Sequence, residues 1–147
     1  MKMKKTLIVI LVAILLGGGS ACYLFTKVVV RDNGKVNETM VNAFQIGAFT
    51  NYENAVRVAD RNNGVVVLDG DIYRVYVAVL NDQEAIQILK KYYAEIGLTY
   101  YLKEISVSKS YIDNIKDVQE LLKKSSSDTY VVLNNEMLRI FKEMLTT

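Results

Sequence analysis

Between Val65 and Leu80 the chain reads VVVLDGDIYRVYVAVL, and no other stretch constrains the fold as much. Two runs rich in β-branched and aromatic residues flank Asp69-Gly70-Asp71, a turn chemistry that favours a tight hairpin. In the second run Tyr73, Val75, Val77 and Val79 share one face, and Ile72, Arg74, Tyr76 and Ala78 share the other. Upstream, Val41 to Phe49 alternates as a further strand, with Phe44, Ile46 and Ala48 on one side and Ala43, Gln45 and Gly47 on the other. Thr50-Asn51-Tyr52-Glu53 then matches the Thr-x-x-Glu box that opens a helix. Tyr52, Ala55, Val56 and Ala59 give that helix one apolar stripe, and Gly64 ends it. Downstream, Asn81 and Glu84 repeat the cap pattern. Ala85, Ile88, Leu89, Tyr92 and Ile96 form a second stripe ended by Gly97, and Leu98 to Val107 supplies a fourth strand.

The order β-α-β-β-α-β predicts an α+β unit over residues 40–107. Its expected form is an RNP/ferredoxin-like, four-stranded antiparallel sheet with two helices on one face and the opposite face open. A unit of about 70 residues buries little, so the sheet and the two stripes should be its whole core. Past Val107 the pattern turns helical through Ile112, Ile115, Val118 and Leu122. It breaks at KKSSSD and resumes through Leu133, Met137, Leu138, Phe141 and Leu145. This predicts a helical hairpin as a C-terminal extension, residues 108–147, either packed on the domain or serving a partner.

The N-terminus has a different character. Three lysines precede Thr6 to Thr26, which run 21 residues without a charge, and Lys27 and Arg31 close the stretch. A bilayer core of roughly 30 Å needs about 20 helical residues, so residues 6–26 are expected to cross the lipid bilayer as a transmembrane helix. Glycines such as Gly17, Gly18 and Gly19 are tolerated there, and the leading lysines put the N-terminus inside. Residues 1–27 thus read as a basic tip and signal-anchor, and residues 28–39, with RDNGKVN, as a linker. A cleaved signal peptide and a lipoprotein site at GGGSAC compete with this reading. Against them, Gly19 stands three before Cys22, where a bulky aliphatic is expected, and Tyr23 to Phe25 continue the apolar run.

Charge and composition exclude several function classes. Five of the 18 basic residues lie within residues 1–31, which hold no acid. That leaves 13 basic against 16 acidic residues beyond Arg31, a net charge of −3. A mildly acidic domain lacks the basic footprint that nucleic acid and other polyanions require. A sheet reading single-stranded RNA would also need stacked aromatics on a basic, cytosolic face. The chain has no histidine, and Cys22 is its single cysteine, so no internal disulfide forms and hydrolytic chemistry has few tools. Asp69 and Asp71 flank the hairpin glycine, where turn chemistry already accounts for them. No enzyme activity, cofactor or metal is expected.

Gln45 is the odd element, a polar amide inside an apolar strand. Its surroundings, FQIGAF at 44–49, ENA at 53–55 and YRVYV at 73–77, come in an order and spacing that resemble the SPOR domain, a sporulation-related repeat of bacterial cell-wall proteins. The resemblance covers roughly Met40 to Val107. It implies binding of peptidoglycan glycan strands that lack stem peptides, by a single-pass protein of the bacterial cytoplasmic membrane. The N-terminus would lie inside, the C-terminal domain outside and enriched at division or sporulation septa, where septal proteins are candidate partners. Carried onto this chain, the implied glycan-binding residues are Gln45, Ala48, Ile72, Arg74 and Tyr76 on the open sheet face. Ala48 replaces the family's common serine, Ile72 stands where an aromatic is frequent, and Ala78 stands in place of a glycine. Gln45 would pair with hydroxyls and acetamides, Arg74 with a lactyl carboxylate, and Tyr76 with a sugar face. A competing reading makes the protein a membrane scaffold whose C-terminal helices recruit a division or sporulation partner, with the SPOR-like unit as spacer.

Overall fold

The computed structural model describes residues 38–146. The expected membrane helix, and the linker as far as residue 37, lie outside the described residues. Among the described residues no helix is long and apolar enough to cross a membrane.

Eight elements follow one another: β1 (Glu38–Phe49), α1 (Tyr52–Arg61), β2 (Val65–Asp69), β3 (Ile72–Leu80), α2 (Gln83–Glu95), β4 (Tyr101–Ser108), α3 (Lys109–Lys123) and α4 (Ser127–Thr146). The four strands form one sheet in the order β2-β3-β1-β4, every neighbouring pair antiparallel. The hairpin forms as the sequence predicts, with Asp69 opposite Ile72 and Gly70 at φ +62°. Both helix caps fall one residue later than expected. Asn51 rather than Thr50 accepts from the Asn54 N–H at 3.1 Å, and Asp82 rather than Asn81 accepts from the Ala85 N–H at 2.9 Å. Gly97, at φ +71°, ends α2 with the paired bonds of a Schellman turn: the Leu98 N–H reaches the Tyr93 carbonyl and the Gly97 N–H that of Ala94. At the end of α1 the left-handed position is taken by Asn63 instead of Gly64.

The sheet face expected to be open is partly closed. Val75 packs against Ala55 and Ala59 of α1. The next residue, Tyr76, turns to the opposite side and meets the Phe141 ring of α4, centroids 6.5 Å apart. α1 and α4 therefore sandwich β3 at this point. Val75 to Leu80 are all buried; since successive side chains point to opposite faces, both faces are covered there. The core is thus larger than a sheet and two stripes. Tyr111, Ile115, Leu122, Leu133, Met137, Leu138 and Phe141 from α3 and α4 join Phe44, Ile86 and Leu89 in one cluster. Of the two alternatives for the C-terminal hairpin, the described residues show it packed on the domain, with its apolar stripes in the same core.

Two strand irregularities shape the centre. Val77 has no partner in the register of β1 or β2. Its carbonyl accepts instead from the Tyr93 hydroxyl of α2 at 3.3 Å and from the Asn134 amide of α4. This satisfies an oxygen that the ladder leaves out. In β1, Ile46 is likewise skipped, since Gln45 faces Tyr76 and Gly47 faces Val75. Gly47 sits beside this bulge under the Phe49 ring, where a Cβ would come within 2.4 Å of Phe49 Cε2.

A buried glutamine fastens α3 to the β3–α2 connection. Gln119 Oε1 accepts from the backbone N–H groups of Asn81 and Asp82 at 3.0 and 2.9 Å, and its Nε2 donates to Asn81 Oδ1 at 3.0 Å. Gln119→Leu keeps the volume but strands two donors, so unfolding in urea should show a loss of about 1–3 kcal/mol. A change within error would mean that water replaces the amide there.

Candidate functional site

The bulge at Ile46 decides which β1 side chains share a face. Strict alternation puts Gln45 and Ala48 on opposite sides. The skipped residue instead sets Gln45 opposite Tyr76 and Ala48 opposite Arg74. Arg74 and Tyr76 are two apart and point the same way, so Gln45 and Ala48 lie on one face with them.

At this end of the sheet, away from α4, polar side chains converge. Arg74 Nη1 donates to Gln45 Oε1 at 3.3 Å, and Arg74 Nε donates to Asp69 Oδ2 at 2.6 Å. Lys103 Nζ of β4 donates to the same Asp69 oxygen at 2.8 Å. β3 and β1 lie between β2 and β4, so this last pair spans the width of the sheet. The two register irregularities between β1 and β3 lie between these strands, where bulges raise local twist. The hydrogen bond from Lys103, followed by that from Arg74, holds the Asp69 carboxyl below its ordinary range. Asp69 therefore stays ionised and is unsuited to donating a proton.

The five residues named from sequence have separate fates. Gln45 and Arg74 meet directly. Ala48 is exposed on their face, and Ile72 is half-buried beside the hairpin. Tyr76 does not offer a ring to solvent: it is 2% exposed, and burial pushes its phenol up to about 12. As a sugar platform it is a correction, because its ring is used in packing against Phe141. The exposed aromatic on this face is Tyr101, the direct cross-strand partner of Gln45 on β4, 67% exposed. Tyr101 and Lys103 escaped the sequence reading because the β1–β4 register, which places them beside Gln45, leaves no local signal. Their two-residue spacing in YLK was the only hint available.

A cleft of about 230 Å³ also lies between the end of α1 and α4, lined by Asp60, Asn63, Asn135, Arg139 and Lys142 among others. Arg139 is already committed there to Glu136 and Glu143. No cluster of metal-ligating side chains occurs among the described residues. No family model matches the chain, and neither a curated protein nor a solved structure matches it.

Proposed function

We propose that the protein is a single-pass anchor of the bacterial cytoplasmic membrane whose external, RNP/ferredoxin-like domain binds peptidoglycan glycan strands lacking stem peptides at division or sporulation septa. The observation that carries this reading is the meeting of Gln45 and Arg74 on an exposed sheet end, with Ala48 brought to the same face by a bulge. Gln45 offers donors and an acceptor to hydroxyls and acetamides. Arg74 suits the carboxylate of a lactyl group freed of its peptide. Tyr101 takes over the stacking role first given to Tyr76. Asp69, held ionised between two cations, favours binding over hydrolysis, since a glycosidase needs one carboxyl of raised pKa. Weak grip at each site suffices on a polymer, where repetition supplies avidity.

The scaffold alternative draws less support. The apolar stripes of α3 and α4, which a recruited partner would need, are spent on the domain's own core.

In a sacculus-binding assay with the full-length protein in detergent, Gln45→Leu and Arg74→Ala should each weaken binding without changing the fold. A lost neutral hydrogen bond costs about 0.5–1.5 kcal/mol and one to a charged group about 1.5–3 kcal/mol. Arg74→Ala should therefore show the larger loss, about tenfold or more. Wild-type binding by the folded double variant would remove this face as the site. The topology has its own check: a reporter active only outside the membrane, fused after Thr147, should be active. A reporter silent outside and active in the cytosol would end the wall-binding reading.

A further inference from the structure

We infer that Asp69 is a resident stand-in for a ligand carboxylate, occupying a two-cation anion subsite built by Arg74 and Lys103. This deepens the glycan reading and rests on it for the identity of the ligand. Three observations carry it. Both cations end on one oxygen of one carboxylate, Asp69 Oδ2, at 2.6 and 2.8 Å. Two positive charges share one negative charge there, leaving a surplus of +1 on a domain that is otherwise acidic. The pair is also open to water, with the Asp69 side chain 49% exposed and those of Arg74 and Lys103 25% and 27% exposed.

A second set of features lets the occupant leave. Asp69 ends β2 at the hairpin, next to Gly70, around whose α-carbon a side chain would find nothing within 4 Å. A carboxylate at an open tip can swing aside without disturbing packing. Lys103 stands opposite Ala43 in the register of β1 and β4, and from there its ammonium reaches Asp69. Arg74 keeps its contact with Gln45 whichever carboxylate it holds, so the guanidinium stays aimed. None of the bonds formed here uses Nη2 of Arg74, leaving a second donor for a bidentate grip. A carboxylate on a sugar, such as the ether-linked lactate of a peptide-free muramyl unit, would displace Asp69 and take both cations. Exposed ion pairs are weak, so the exchange is easily reversed, as movement along a polymer requires.

The test compares full-length wild type, Asp69→Asn and Lys103→Gln in detergent on two probes: peptide-free glycan strands, and the same strands with their carboxyl groups reduced to alcohols. Removing the competitor should let Asp69→Asn bind the carboxylate strands up to about fivefold tighter, the scale of an exposed ion pair. Its binding to the reduced strands should stay unchanged. Lys103→Gln should weaken binding to the carboxylate strands only. If Asp69→Asn binds both probes less well, Asp69 merely positions Arg74 and the inference is overturned; unchanged binding to both overturns it equally. Should wild type bind neither strand, the glycan reading fails, and sodium lactate then tests the subsite alone through the Arg74 Nε–H resonance. A shift that saturates at lower lactate in Asp69→Asn than in wild type supports the subsite. No shift in either protein, or saturation at equal or higher lactate in the variant, disposes of it.

Discussion

A stop codon after Lys124, which removes α4 and the two serines before it, is expected to abolish cooperative folding. α4 contributes Leu133, Met137, Leu138 and Phe141 to the core, all buried. Its removal would also bare Tyr76 and Tyr111, whose rings lie against Phe141 at 6.5 and 5.6 Å. Each large apolar side chain returned to water forfeits about 1.5–3 kcal/mol. Four lost residues and two uncovered rings together come to about 9–18 kcal/mol, as large as the typical margin of about 5–15 kcal/mol for a whole domain. Amide resonances of the truncated protein should collapse into the narrow range of an unfolded chain, and urea should produce no sigmoidal transition. A truncated chain with dispersed resonances and a normal transition would show that residues 38–124 fold alone and that α4 only decorates them.

Tyr76→Ala should be the most damaging single substitution on the sheet. Truncating a fully buried aromatic costs about 3–5 kcal/mol, because the cavity cannot fully collapse. In a folded unit of this size the midpoint of thermal unfolding should fall by at least about 10 °C. Tyr101→Ala is its counterpart. With two-thirds of its surface in water, Tyr101 should be replaceable within about 0.5 kcal/mol of stability, while sacculus binding falls. One tyrosine holds the fold and the other serves the face, although both project from the same side of the sheet. If Tyr101→Ala destabilised the domain as much as Tyr76→Ala, the division of the sheet into a covered half and a working half would be wrong.

That division was visible in the sequence only in part. The succession of elements along the chain, the hairpin and the helix count follow from local patterns, because a tight turn and a 3.6-residue stripe are set by neighbours in the chain. The caps slipped by one residue where two polar candidates stand side by side, Thr50 before Asn51 and Asn81 before Asp82. Capping residues are nearly interchangeable, and the tertiary position of the strand end chooses between them. The α2 stripe slipped too, since Tyr93 is buried and Tyr92 only half so. Adjacent tyrosines give the pattern no preference. Bulges leave no mark on the pattern, so strict alternation sets Gln45 and Ala48 on opposite faces although the resemblance puts both on one. The covered half did leave a trace: Val75 to Leu80 contains no polar side chain except the tyrosine hydroxyl, and a continuous apolar run is what a strand buried on both faces looks like. Which helices would cover it could not be read, since the stripes of α3 and α4 state that a face is apolar without stating what it meets.

The carbonyl of Val77 has a kinetic meaning as well. It is reached from α2 by Tyr93 and from α4 by Asn134, 57 positions further along the chain. A ribosome delivers these partners in order, so β3 emerges with one of its two faces unsealed and waits for the last helix. Until residues 127–146 are out, an apolar strand face stays available to wrong partners, and the Val77 oxygen has only one of its two donors, Tyr93. Contacts of such long sequence separation close slowly, so the nascent domain is held back from premature folding. On the exported topology proposed above, that delay would keep the chain threadable through a membrane channel, with its final structure reached only once the C-terminal helix had crossed.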